Sequence, residues 1–140
     1  MLESLATELG IVSQVIFWGQ QLDVAPFFSA ADAFIMSSKS EGLPISLLQA
    51  FSLGLPAIVT DVGGMAEVVR LANAGYLVPA MDAAQMAAAI LRLAGSDAER
   101  EQFSKNAEAA FRARFTLEAM VEAYMELYRD TPRARRAAKP

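Results

Sequence analysis

Apolar residues fall into two regimes along this chain. As far as Pro79 they come in short runs punctuated by glycine and proline; beyond it they recur at helical spacing only. In the first regime, Leu2 to Leu9 predicts a helix closed by Gly10. Val15-Ile16-Phe17-Trp18 predicts a short buried strand ending at Gly19. Val24 to Ala31 reads as a helix and Ala33 to Met36 as a strand. Pro44 to Leu53 is the next helix, ended by Gly54, and Ala57 to Thr60 the next strand. Gly63-Gly64 turns the chain into a short helix through Arg70, and Tyr76 to Val78 is the last strand. In the second regime Asp82 to Leu93, Ala98 to Phe115 and Leu117 to Arg129 read as helices, with Thr116 as N-cap between the last two.

Strands that are apolar throughout and alternate with helices describe a parallel sheet covered on both faces, an α/β Rossmann-like class. Ligands of such sheets bind beyond the carboxyl ends of the strands. Gly19, the stretch from Ser37 to Gly42, and the stretch from Asp61 to Gly64 each follow a predicted strand, so they are expected to share one rim.

Composition narrows the function. The 140 residues are one domain's worth, and 54% hydrophobic with 20% charged residues is globular on the apolar side. A net charge of −4 argues against general nucleic-acid binding. With neither cysteine nor histidine, a metal would need carboxylates alone, and the sequence clusters none; no metal and no cofactor is expected. The absence of cysteine fits a cytoplasmic protein, and no signal peptide or spanning segment is expected. Residues 1–130 read as the folded unit and residues 131–140 as a basic flexible tail. Arg133, Arg135, Arg136 and Lys139 are either simply solvated or weakly attracted to the inner face of an anionic membrane.

The chemistry concentrates between Ser37 and Ala50. A carboxylate, Glu41, and a glycine, Gly42, stand at the end of a strand, just before a helix opened by Pro44. The free N–H groups and dipole of a first helical turn favour an anionic ligand. Pro44 suits the first helical position, and Gly42 permits close backbone approach. Glu41 would repel a phosphate, so it is expected to accept hydrogen bonds from hydroxyl groups, as in sugar recognition. Lys39 is the one basic residue of the loop and reads as phosphate contact or as solvated surface. Gly63-Gly64 reads equally as part of a ligand loop or as a tight turn. Asp61 and Glu67 read as helix-start residues, and Trp18 as core rather than as part of a ligand surface.

The run Ala31-Asp32-Ala33-Phe34-Ile35-Met36-Ser37-Ser38, then Glu41-Gly42-Leu43-Pro44, then Ala50 to Gly64, Glu67-Val68-Val69, Gly75-Tyr76-Leu77-Val78-Pro79 and Asp82 resembles the C-terminal, donor-binding domain of retaining GT-B glycosyltransferases. The resemblance implies a hexose transferred with retention from a nucleotide-sugar, uridine- or guanosine-diphosphate-linked, to an acceptor. It assigns Glu41 to the transferred sugar, as the catalytic position. Ser40, Gly42 and Leu43 fall near sugar or phosphate, Gln49 near the ribose, and Gly19, Gly63 and Gly64 on the donor rim.

Two departures qualify what the resemblance implies. The family pairs Glu41 with a second glutamate eight residues on, and Gln49 stands there. An amide carbonyl accepts more weakly than a carboxylate, by roughly 1 kcal/mol. The family's opening strands, the basic groups that neutralise the diphosphate, and the whole N-terminal acceptor domain have no counterpart in these residues. The chain therefore reads as the last two-thirds of one domain of a two-domain enzyme, inactive alone. In the family's strand order the missing strands would lie between Val15–Trp18 and Ala33–Met36, so self-association through a vacated sheet edge is expected. Alternatives are a non-catalytic nucleotide-sugar binding or interaction module, and a GT-B-fold epimerase whose acid–base residues are not identifiable here.

Overall fold

Three parallel strands hold the core: β1 (Phe34–Met36), β2 (Ala57–Thr60) and β3 (Gly75–Val78), in the order β1-β2-β3. The computed structural model describes residues 2–130. Ile35 pairs with Ile58 and Ile58 with Tyr76, so the strands run in register across the sheet. Seven α-helices surround them among the described residues: α1 (Leu2–Glu8), α2 (Ala25–Ser29), α3 (Ile45–Ser52), α4 (Gly63–Ala72), α5 (Ala83–Ala94), α6 (Asp97–Arg114) and α7 (Leu117–Asp130).

The alternation of β2 divides the core into two layers. Ala57 and Val59 pack with Leu47 and Phe51 of α3, with Met65, Val68 and Val69 of α4, and with Ala107 of α6. Ile58 packs on the other side with Val78 and with Leu93 of α5, flanked by Phe103 of α6. Phe103, Ala107, Phe111 and Phe115 recur every four residues and give α6 one apolar face: Ala107 is fully buried, and the three phenylalanines are half-buried against the core.

Local chemistry explains the helix boundaries. The Asp82 carboxylate accepts from Gln85 N at 2.9 Å to start α5, and Ser96 Oγ accepts from Glu99 N at 3.2 Å to start α6. Thr116 Oγ1 accepts from Ala119 N at 3.2 Å, the cap expected for α7. The bonds from Gln85 hold the Asp82 carboxyl below its ordinary range. A polar cluster fastens β3 to α5 and α6. The Tyr76 hydroxyl donates to Glu99, Arg92 pairs with Glu99 at 2.6 Å, and the Arg92 guanidinium lies 4.7 Å from the Tyr76 ring centre. Burial, then the bond to Glu99, pushes the Tyr76 hydroxyl up to about 12, and the bond from Arg92 holds Glu99 below the usual carboxylate range.

Four expectations need correction. Val15–Trp18 is not a strand; after a single 3-10 turn at Val12–Gln14 the chain runs on without ladder bonds. A strand forms only where a neighbour satisfies its N–H and C=O groups, and none of the described strands lies beside this segment. Trp18 is accordingly not core: it is 59% exposed, with its ring edge-on to Phe27 at 4.9 Å. Pro44 is the N-cap of α3, with extended backbone, and the helix begins at Ile45. Helix α4 continues past Arg70 to Ala72, where Asn73 ends it in the left-handed conformation (φ 48°).

Candidate functional site

The carboxyl ends of β1 and β2 bring together the Glu41–Leu43 loop and the start of α4. Thr60, the last residue of β2 and 1% exposed, donates through Oγ1 to the carbonyl of Ser38 at 2.6 Å. Ser38 Oγ in turn lies 3.4 Å from Glu41 Oε2, a long bond that leaves most of the carboxylate's accepting capacity free. Glu41 itself is half-buried, whereas Ser40, Gly42 and Leu43 are exposed. The loop is thus fastened from below and open above.

Gly63-Gly64 has a steric reason that neither sequence reading contained. Gly63 adopts φ +54°, and a Cβ there would stand 1.8 Å from the Glu41 carbonyl oxygen. A Cβ on Gly64 would meet the Gly42 carbonyl oxygen at 3.3 Å. Met65 N donates to that same Gly42 oxygen at 2.9 Å. Only an unsubstituted backbone lets the acidic loop rest on the first turn of α4. Neither Pro44 nor Val62, the N-caps of α3 and α4, provides a side-chain cap. Two helix starts therefore adjoin one carboxylate loop; in α4 the Gly42 carbonyl takes the Met65 N–H, and the N–H groups of Gly63 and Gly64, like those of Ile45 and Ser46 in α3, stay free for water or an anionic group.

The other predicted residues divide. Gln49 sits on the exposed side of α3; its backbone carbonyl accepts from Ser52 Oγ at 2.7 Å. Gly19 has φ +63° with nothing within 4 Å of a built Cβ, and it follows no strand, which removes the topological reason for placing it on the rim. Lys39 is exposed and makes no ion pair among the described residues. Asp61 pairs with Arg70 at 2.8 Å rather than capping α4, and Glu67 lies exposed beyond the first turn of that helix. Among the described residues, no group of three or more acidic side chains is placed to hold a cation.

Sequence reasoning missed the brace formed by Ser38 and Thr60. A polar residue closing an otherwise apolar buried strand was the available signal. It also missed an apolar cleft of about 410 Å³ beside the loop, where Leu43 and Leu48 face Phe115, Met120 and Tyr124.

Comparison with known proteins fits this geometry. The model for "Glycosyl transferases group 1" matches residues 1–110. The lipopolysaccharide core biosynthesis glycosyltransferase LpsE of Rhizobium meliloti is 32% identical over 131 residues, covering 94% of this chain and 38% of that protein. Sucrose-phosphate synthase from Thermosynechococcus elongatus superposes with a TM-score of 0.83 at 32% identity, over 91% of this chain and 33% of that one. HepE of Anabaena, solved with UDP, shares the fold at a TM-score of 0.85 and 22% identity, over 91% of this chain and 35% of that one. The chain spans a little over a third of the length of these relatives. With the family model matching most of its length and the fold superposing on theirs, the chain belongs to the group 1 glycosyl transferases, with the GT-B fold of their C-terminal half.

Proposed function

We propose that this chain is the donor-binding part of a longer glycosyltransferase that moves a hexose from a nucleotide-sugar to an acceptor with retention. The observation that carries the reading is the interlock of Glu41–Leu43 with Gly63-Gly64. It puts a carboxylate with free accepting capacity, suited to sugar hydroxyls, beside two helix starts that have no side-chain cap and are suited to a diphosphate. In this reading Glu41 orients the transferred sugar, and the backbone at Ser40, Gly42, Leu43, Gly63 and Gly64 faces sugar or phosphate. Gln49 lies toward the ribose in the same reading.

Departure of a nucleotide diphosphate develops negative charge, and preorganised cations and amides are what stabilise it. Lys39 is the one basic residue in the loop. The 140-residue chain alone is therefore expected to bind donor weakly and to transfer nothing. The apolar face of α7 and its cleft with Leu43 fit contact with the rest of a longer protein, in keeping with relatives of about three times this length. No described helix is long and apolar enough to cross a membrane. We place the protein in the cytoplasm, with residues 131–140, which lie outside the described residues, read as a solvated basic tail; the alternative, weak attraction to an anionic membrane, is removed if deleting them leaves liposome cosedimentation unchanged.

Calorimetric titration with UDP, GDP and their hexose conjugates tests the donor site. Binding of a sugar nucleotide in the micromolar to millimolar range, weakened about tenfold by Glu41→Ala, is the expected result. Equal affinity for nucleotide and sugar nucleotide, untouched by Glu41→Ala, overturns the role of Glu41. Gln49 favours one second reading, a non-catalytic nucleotide-sugar binding module. Gln49→Glu separates the two: tighter binding by several-fold supports a donor site of the enzyme type, and no change supports the binding module.

A further inference from the structure

Strand β2 closes on a residue that its surroundings do not ask for. Ala57, Ile58 and Val59 are apolar and at most 1% exposed, and Thr60, at 1%, ends the run with a hydroxyl. Valine has the same shape and would sit there more comfortably, because only a hydrogen bond offsets the lost hydration of a buried hydroxyl. The ladder between β1 and β2 stops where Met36 faces Val59. The Thr60 hydroxyl carries the hold two residues further, to the carbonyl of Ser38 at 2.6 Å.

The acidic loop is therefore clamped at two carbonyls. Thr60 Oγ1 donates to Ser38, and Met65 N donates to Gly42 at 2.9 Å. Lys39, Ser40 and Glu41 span the interval between the clamps. The clamp at Gly42 joins backbone to backbone, whereas the clamp at Ser38 depends on one side chain. Ser38 passes the constraint on, since its own hydroxyl lies 3.4 Å from Glu41 Oε2. Bonds of that length in enzyme sites commonly tighten when a substrate engages the carboxylate.

We infer that Thr60 is a positioning residue for Glu41: its buried hydroxyl fixes the Ser38 peptide, and Ser38 Oγ in turn orients the carboxylate. What Glu41 meets rests on the donor reading above; how the loop is held rests on these contacts alone. The competing role is purely structural, with the hydroxyl serving only to satisfy a buried carbonyl. That role predicts a loss of stability and nothing more. Positioning predicts, in addition, a loss confined to the Glu41 loop and to the part of binding that depends on the sugar.

Thr60→Val keeps the side-chain shape without the hydroxyl, and Thr60→Ser keeps the hydroxyl. Nuclear magnetic relaxation on the 140-residue chain should give backbone order parameters of about 0.85 at residues 39–41 in wild type and Thr60→Ser, and below about 0.6 in Thr60→Val. The Met65 amide, held by the other clamp, should keep its slow hydrogen exchange in all three. Calorimetry should show sugar-nucleotide binding weakened about fivefold in Thr60→Val and restored in Thr60→Ser, with the bare nucleotide unaffected. Because Thr60 acts through Glu41, Thr60→Val should add no further loss in a Glu41→Ala background. Ser38→Ala should weaken sugar-nucleotide binding while residues 39–41 stay ordered, which separates the two links. A loop as rigid in Thr60→Val as in wild type overturns the inference. So does equal weakening of nucleotide and sugar nucleotide, or Met65 exchange that rises together with loop motion, the mark of general loosening. The order parameters need no donor: a chain that binds no sugar nucleotide defeats the donor reading, and Thr60 is still decided by the loop.

Discussion

Strand β2 and the segment Val15–Trp18 are both apolar four-residue runs bounded by turn signals, yet they end at opposite extremes. Ala57, Ile58, Val59 and Thr60 are at most 1% exposed, while Ile16 is 71% exposed. The difference lies in neighbours rather than residues. β2 has a strand on each side, α3 and α4 on one face and α5 on the other, so every backbone group and side chain is satisfied. Val15–Trp18 has no strand beside it. Burial is thus a property of the surrounding elements, and an apolar run only states what it would gain if they were present. Helices α6 and α7 repeat the lesson: both carry apolar stripes, but α6 buries Ala107, whereas Leu117, Met120, Tyr124 and Leu127 stay largely exposed.

The same chemical change in the two runs gives the sharpest test. Ile58→Ala should lower the unfolding free energy by about 3 kcal/mol, because it empties a site between β2 and α5. Ile16→Ala should change it by less than about 0.5 kcal/mol in dilute solution. Urea denaturation measures both, and equal losses would break the comparison.

Two glycines of similar backbone extend it. Gly63 (φ +54°) and Gly19 (φ +63°) both disfavour a side chain, but only Gly63 has a neighbour in the way. Gly63→Ala should cost about 2–3 kcal/mol and displace the Glu41 loop, seen as lost melting temperature together with lost donor affinity. Gly19→Ala should cost about 1 kcal/mol and melt only slightly earlier.

The β3 side contributes a smaller effect with a pH signature. Tyr76→Phe should cost about 1 kcal/mol through loss of the bond to Glu99. The folded-state value of Tyr76, about 12, lies above its ordinary 10.0, so the protonated hydroxyl favours folding. That contribution is complete below pH 10.0 and is lost as pH rises toward about 12. Melting temperature should fall across this window in the wild type, and less in Tyr76→Phe. Glu99 is shifted the other way, so its contribution is present above pH 4.5 and is lost as pH falls through its lowered folded value. The smallest effect belongs to the exposed pair Asp61–Arg70: Arg70→Ala should move stability by less than about 0.5 kcal/mol.

The sequence alone determined the fold class, β1, β2 and β3 to within a residue or two, the helical second half with its Thr116 cap, and the family. These are legible because they rest on local periodicity, on turn and cap chemistry, and on motifs in fixed order. Tertiary structure alone decided that Val15–Trp18 is not a strand, that Trp18 lies outside the core, that Thr60 braces Ser38, and why Gly63 and Gly64 are glycine. Each of those depends on which backbone lies alongside, and the carbonyl 1.8 Å from a missing Cβ comes from a residue twenty-two positions earlier. A chain's periodicity records its own preferences; the pairing of edges and the clearance between loops are set by partners distant in sequence.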